Sequence, residues 1–180
     1  MPAYFLRHGQ SQANIENIFA GQKEDSRLSE LGFKQAEVAS KEIAKAGITR
    51  IIASPLMRAQ QTAEIVAQGI NFTGTIEEDQ RIAEYDMGVL TGQPDRDITS
   101  HELVFAEGAE DPIVFRERVV DFLKELHGKK DTTLIVSHAG VGRIIEATKQ
   151  GTDPAEFYDV EGYPNALVVE LDLDWLNNYE

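Results

Sequence analysis

Arg7 and His8 stand side by side at the end of a short apolar run, Ala3–Leu6, and Gly9 follows at once. Both side chains favour positive charge, so placing them together at a strand end costs repulsion unless an anion binds there. The arrangement recurs. His138 closes the β-branched run Thr132–Ser137, and Arg58 follows Ser54-Pro55, just past the apolar run Arg50–Ala53. Guanidinium forks fit phosphate and carboxylate oxygens, and imidazole changes charge near neutral pH. Together they suit anion binding and phosphoryl chemistry. The chain has no cysteine, which excludes disulfides and thiolate chemistry.

The elements that must position these residues alternate along the chain. Leu28, Leu31, Ala36, Ala39, Ile43 and Ala46 fall near helical spacing, with Ser29 as N-cap and Gly47 as stop. Arg50–Ala53 reads as a strand. Ser54 caps and Pro55 opens a helix with the buried stripe Leu56, Ala59, Ala63, Val66 and Ile70. Thr73–Ile76 reads as a short strand, and residues 81–110 as irregular. Asp111-Pro112 starts a helix whose Phe115, Val119, Phe122 and Leu126 face the core. After the strand Thr132–Ser137, a helix over Val141–Lys149 follows. Ala166–Leu173 alternates, with Leu167, Val169, Leu171 and Leu173 on one face, as expected of a half-exposed edge strand.

This order predicts an α/β fold: one domain over 1–180, with a mostly parallel central sheet and helices on both faces. In such sheets ligands bind beyond the carboxyl ends of the strands. Arg7, His8, Arg58 and His138 are therefore predicted on one edge, with helix N-termini adding N–H donors. That is the outline of a phosphate site.

The 180 residues, 42% of them hydrophobic, suffice for a packed core. A net charge of −14 argues against nucleic acid as partner and, weakly, against highly anionic substrates. No apolar stretch is long enough to span a membrane, and MPAYFLRHG lacks the features of a signal peptide. The expected location is the cytoplasm, and the sequence leaves the oligomeric state open.

Five motifs in order resemble those of the histidine phosphatase superfamily, which includes phosphoglycerate mutases and small phosphatases. They are Leu6-Arg7-His8-Gly9 with Asn14; Leu31-Gly32 with Gln35-Ala36; Ser54 through Ala63 around Arg58; Glu84 with Gly88 and Gly92; and Ser137-His138-Ala139-Gly140 with Arg143. The resemblance implies a phosphohistidine mechanism without a cofactor. His8 would be the nucleophile, Arg7 and Arg58 phosphate clamps, His138 a protonated second imidazole, and Glu84 the general acid. It also implies that Asn14 and the Ala139 backbone N–H bind the phosphate and that Gln22 faces the substrate. Arg143 is expected to support the site through a salt bridge. The role of Glu110, in the stretch Gly108–Glu110, stays open.

A metal site built from His8, His138 and Glu84 is the weaker alternative. Two arginines oppose a divalent cation, and close-spaced ligand pairs are missing. His101 and His127 are expected on the surface, and Asp86 and Glu77–Asp79 as solvated acids. Only 80 positions separate Arg58 from His138, a short form that resembles phosphatases more than mutases. The expected activity is hydrolysis of a small phosphomonoester. Mutase-type transfer and a non-catalytic phosphate-binding scaffold are the alternatives. Phosphohistidine-protein phosphatases tend to lack the acid-donor segment present here. Residues 15–27 and 85–107, including Ile15, Phe19, Tyr85, Met87 and Leu90, are expected at the pocket mouth.

Overall fold

The computed structural model describes residues 2–179; Met1 and Glu180, the ends of the expected 1–180 domain, lie outside them. The chain runs β1 (Ala3–Arg7), α1 (Gln12–Glu16), α2 (Glu30–Ile43), β2 (Arg50–Ala53), α3 (Met57–Gly69), β3 (Ile76–Glu78), α4 (Ser100–Val104), α5 (Pro112–Leu126), β4 (Thr133–Ser137), α6 (Ala139–Gln150) and β5 (Val168–Leu171). The strands form one sheet in the order β3-β2-β4-β1-β5. All neighbours are parallel except the edge strand β5, which runs antiparallel to β1. Central β4 is buried along its whole length, as its unbroken apolar and β-branched run requires.

Both faces of the sheet are covered. Phe5, Ile135 and Ile52 pack against Phe115, Val119 and Phe122 of α5 and Val141 and Ile144 of α6. Leu6, Ile51, Leu134 and Val136 pack against Ala39 and Ile43 of α2 and Ala59, Ala63 and Val66 of α3. The alternation of β1 thus feeds two cores. The β1–β4 register pairs Arg7 with Ser137, and the β2–β4 register pairs Ala53 with Val136. Three strands therefore end level, and the residues just beyond their carboxyl ends meet at a single edge.

Several boundaries differ from the sequence-based expectation. Ser54 does not cap α3. Its hydroxyl lies 2.7 Å from His138 Nε2, and the helix begins at Met57, whose N–H is accepted by Asp25 Oδ1 at 2.7 Å. α6 starts at Ala139 rather than Val141, because His138 is the extended residue before it. The strand expected over Thr73–Ile76 starts at Ile76, where pairing with Ile51 begins. Glu77 and Asp79 are not simply solvated: Glu77 pairs with Arg50 at 2.6 Å and Asp79 with Arg81 at 2.6 Å. On β5, Val168 and Leu171 belong to opposite cores, so the strand is buried on both faces in part.

Gly32, in the first turn of α2, sits where a Cβ would fall onto the backbone of Gln10. This contact presses α2 against the segment that leaves β1 with His8. Gly32→Ala is expected to lower stability by about 1–3 kcal/mol through overpacking. The urea midpoint reads this, and an unchanged midpoint would mean that the 9–10 segment yields freely.

Candidate active site

His8 comes directly after the last residue of β1 and is 3% exposed. Its Nδ1 lies 2.7 Å from the carbonyl of Gly9. A carbonyl only accepts, so Nδ1 carries the proton and Nε2 keeps its lone pair. His138, directly after β4, is fully buried, and the two rings stand 5.2 Å apart between centroids. His138 Nε2 faces Ser54 Oγ, while its Nδ1 is buried with no partner among the described residues.

Three arginines close on the same cavity of about 190 Å³. Arg7 donates from Nη1 to the Tyr163 carbonyl at 2.7 Å, and its Nε is buried with no partner among the described residues. Arg58, in the first turn of α3, is 1% exposed and donates to the carbonyls of Gly21 (2.9 Å) and Glu24 (3.2 Å). Arg143 donates to the Tyr158 carbonyl and stacks over that ring at 4.5 Å. The salt bridge expected for Arg143 is not formed. Among the described residues no carboxylate lies within 4.0 Å of Arg7, Arg58 or Arg143. Burial lowers the pKa of Arg7 and Arg58, and the field of Glu84 opposes that shift.

Glu84 is 7% exposed and lines the cavity. Its carboxylate accepts the N–H of Tyr85 at 2.9 Å and of Gly140 at 3.2 Å. A Cβ at Gly140 would collide with this carboxylate and push it aside, so glycine there leaves Glu84 its place. The acid segment is fixed from behind by Arg118, which sequence reasoning missed. Arg118 donates to the carbonyls of Arg81 (2.6 Å), Ala83 (2.8 Å) and Glu84 (3.0 Å), and pairs with Glu110 at 2.6 Å. Glu110 thereby gains its place, and its own carbonyl accepts the Tyr85 hydroxyl. The signal available in sequence was an arginine three residues after Phe115, one helical turn along the face of α5 that carries Phe115, Val119 and Phe122.

The remaining expected residues divide. Asn14 and Ala139 line the cavity. Gln22 spends its amide nitrogen on the Glu84 carbonyl at 2.8 Å, so it braces the acid segment. Ile18, Phe19 and Gly21 from the first expected loop and Met87 and Asp95 from the second do reach the cavity. Tyr85 does not. It is fully buried against Phe115 and Phe157. Ile15 is exposed outside the cavity, and Leu90 packs on the core. Asp86 pairs with Lys23 at 3.1 Å. His101 is exposed, and neither it nor His127 lines the cavity. Among the described residues no group of three or more His, Asp and Glu could hold a metal ion.

The motifs imply a protonated His138, and its surroundings here oppose that charge. The structure instead holds both imidazoles well below their usual value of 6.5. Burial is the main cause and the positive field of Arg58 the next. An approaching dianion would reverse the second effect but not the first. Below about pH 6.5 the unfolded chain binds protons that the folded chain refuses, so stability is full above that value and falls as pH falls. In phosphate-free buffer the urea midpoint is expected to drop between about pH 7.5 and about pH 5.5. The drop should be smaller in His138→Gln. An equal drop in the variant would show that His138 is not held neutral.

Residues 3–175 match the sequence model of the histidine phosphatase superfamily (branch 1). A probable phosphoglycerate mutase, GpmB, of Yersinia pestis (strain Pestoides F) is 38% identical over 102 residues. Those residues are 57% of this chain and 46% of that protein, so the match spans about half the relative's length. Among solved structures, a mycobacterial glucosyl-3-phosphoglycerate phosphatase in complex with VO3 superimposes with a TM-score of 0.80 at 26% identity, covering 95% of this chain and 92% of that one. YhfR of Bacillus stearothermophilus gives 0.81 at 24% identity, covering 95% and 91%, a likeness of fold. With the family pattern running through nearly all of the sheet and both histidine-bearing strand ends, this chain belongs to the histidine phosphatase superfamily, branch 1.

Proposed function

We propose that this protein hydrolyses a small phosphomonoester through a phosphohistidine on His8, without a metal or other cofactor, and that residues 1–180 make one catalytic domain. One observation carries the reading. His8 is held with its proton on Nδ1 and its Nε2 lone pair free, in a cavity whose arginines have no carboxylate partner among the described residues.

In the first step Nε2 attacks phosphorus and the bond to the leaving oxygen breaks. Arg7 and Arg58 hold the equatorial oxygens, joined by the Asn14 amide, the Ala139 N–H and a donor from His138. Glu84 gives its proton to the leaving oxygen. In the second step water attacks phosphorus and returns a proton to Glu84. The P–N bond breaks, and inorganic phosphate leaves. The cavity, about 190 Å³, is smaller than the roughly 300–1,000 Å³ of drug-sized ligand sites. It holds a phosphoryl group and little more, so the alcohol is compact or extends out of the cavity past Asp95, an exposed residue of its lining.

Among relatives, the mycobacterial neighbour's name as a glucosyl-3-phosphoglycerate phosphatase supports hydrolysis. The name of the Yersinia relative favours mutase-type transfer as the second reading. Transfer of phosphate to another hydroxyl of phosphoglycerate, in place of phosphate release, would select it. The net charge of −14, the absence of cysteine and of a long apolar helix among the described residues support a cytoplasmic enzyme with no nucleic-acid partner.

Alkaline quench during turnover of a labelled phosphomonoester should trap label that is stable in base and lost in acid. Equal labelling of His8→Ala would overturn the assignment, and no turnover of nitrophenyl phosphate by the unaltered protein would favour a binding scaffold. Dialysis against a strong chelator should leave turnover intact; loss restored by a divalent cation would revive the metal alternative.

Glu84→Gln tests the acid. Its phosphorylation step on alkyl phosphates should slow by roughly 10²–10⁴-fold, the worth of a positioned acid. The same step on nitrophenyl phosphate, whose leaving group needs no proton, should slow far less. Equal single-turnover losses would remove Glu84 from the role.

A further inference from the structure

Asn165 lies 157 positions after His8 and outside every motif of the sequence, yet it touches two residues of the cavity. Its Nδ2 donates to the His8 carbonyl at 3.0 Å and to Asn14 Oδ1 at 3.3 Å. Asn14 Oδ1 also receives the Ser11 N–H at 3.0 Å and the Ser11 hydroxyl at 3.2 Å. Three donors thus converge on one amide oxygen. Turning the Asn14 amide over would set its NH₂ against all three, so Nδ2 is the group left for the cavity that Asn14 lines. The Ser11 hydroxyl does not fix this, because it also accepts from the Asn14 N–H and can rotate to meet either end of the amide. Two donor-only groups do: the Ser11 N–H from within the same turn, and Asn165 Nδ2 from the far end of the chain.

The segment that delivers Asn165 is built for the purpose. Ala166 adopts φ +58, an uncommon conformation for a residue with a Cβ. Its N–H donates to the carbonyls of Arg7 (2.9 Å) and His8 (3.3 Å). The turn also places the Tyr163 carbonyl on Arg7. Backbone strain of this kind persists where surrounding contacts over-determine it.

We propose that Asn165 is a positioning residue: held by the His8 carbonyl, it helps set the Asn14 amide so that Nδ2 meets a phosphate oxygen. This role rests on reading the cavity as a phosphate site. Asn165 itself touches no reacting atom.

The test is binding of inorganic phosphate to the full chain, measured by calorimetry, with thermal unfolding as a check on the fold. Asn14→Ala should weaken phosphate binding roughly 10–100-fold, the worth of a hydrogen bond to a charged group. Asn165→Ala should weaken it roughly five- to tenfold. Because Asn165 acts through Asn14, the double variant should bind within about twofold of Asn14→Ala. A general structural fault would instead multiply the two losses, and that result overturns the proposal. So does an Asn165→Ala protein that binds phosphate like the parent. If Asn165→Ala does not fold, Asn165→Ser enters the same cycle with the same expectation. Failure of the parent chain to bind phosphate would remove the phosphate site itself, and this role with it.

Discussion

The structure depends on concentrating buried positive charge at one sheet edge without neutralising it. Arg7, Arg58 and Arg143 meet the two imidazoles there, and their guanidinium groups are held by backbone carbonyls of Tyr163, Gly21, Glu24 and Tyr158. A carbonyl satisfies a donor and fixes its direction, but it carries no net charge to cancel the cation. A carboxylate would hold the same arginine more tightly and would compete with the ligand. Arg118 and Arg81 illustrate the contrast. Both are paired with acids, and both brace the fold from outside the cavity.

The choice of carbonyls dictates much of the architecture. Each accepting carbonyl must be brought in by a segment with a defined conformation. The loop over Gly21–Glu24 serves Arg58, and the stretch from Tyr158 to Tyr163 serves Arg143 and Arg7. The first lies outside the regular elements and the second runs on as a loop from the end of the 3₁₀ helix Pro154–Asp159, as segments set by a rigid sheet commonly do in functional sites. Asp25 ties the first of them to α3 by capping Met57, so the helix that carries Arg58 and the loop that receives it are fixed together. The same positive field acts on the imidazoles. It adds to burial, the larger cause, in lowering their pKa, and a neutral ring is what a nitrogen nucleophile requires.

Glu84 is the counterweight within the cavity, and its support is of another kind. It accepts only backbone N–H groups at its carboxylate, while Arg118, Gln22 and Glu110 hold the chain on which it sits. Its position is thus set without spending the carboxylate on an ion pair. The chain as a whole carries a net charge of −14, which disfavours anions in general, and the cations of the cavity act against that background.

The sequence by itself determined the layered fold and the gathering of Arg7, His8, Arg58 and His138. Period-two and helical spacing fix which elements form, and parallel α/β order puts strand ends together. The motif order also placed Glu84, Asn14 and Ala139 at the cavity. What only the tertiary structure decided depends on contacts between distant residues that carry no local pattern. Ser54 looked like a helix cap, but a histidine 84 positions away takes its hydroxyl. Asp25 caps that helix from 32 positions away. Arg143 looked like half of a salt bridge, yet the partner brought to it is a tyrosine carbonyl and ring. What opposes the charge expected on His138 was hidden for the same reason. Local sequence shows a titratable ring at a strand end, whereas its protonation is set by complete burial and by Arg58, both products of packing. Asn165, Arg118 and Tyr163 were invisible because an amide, a cation or a carbonyl acquires a role only when the folded chain sets another group within hydrogen-bond reach.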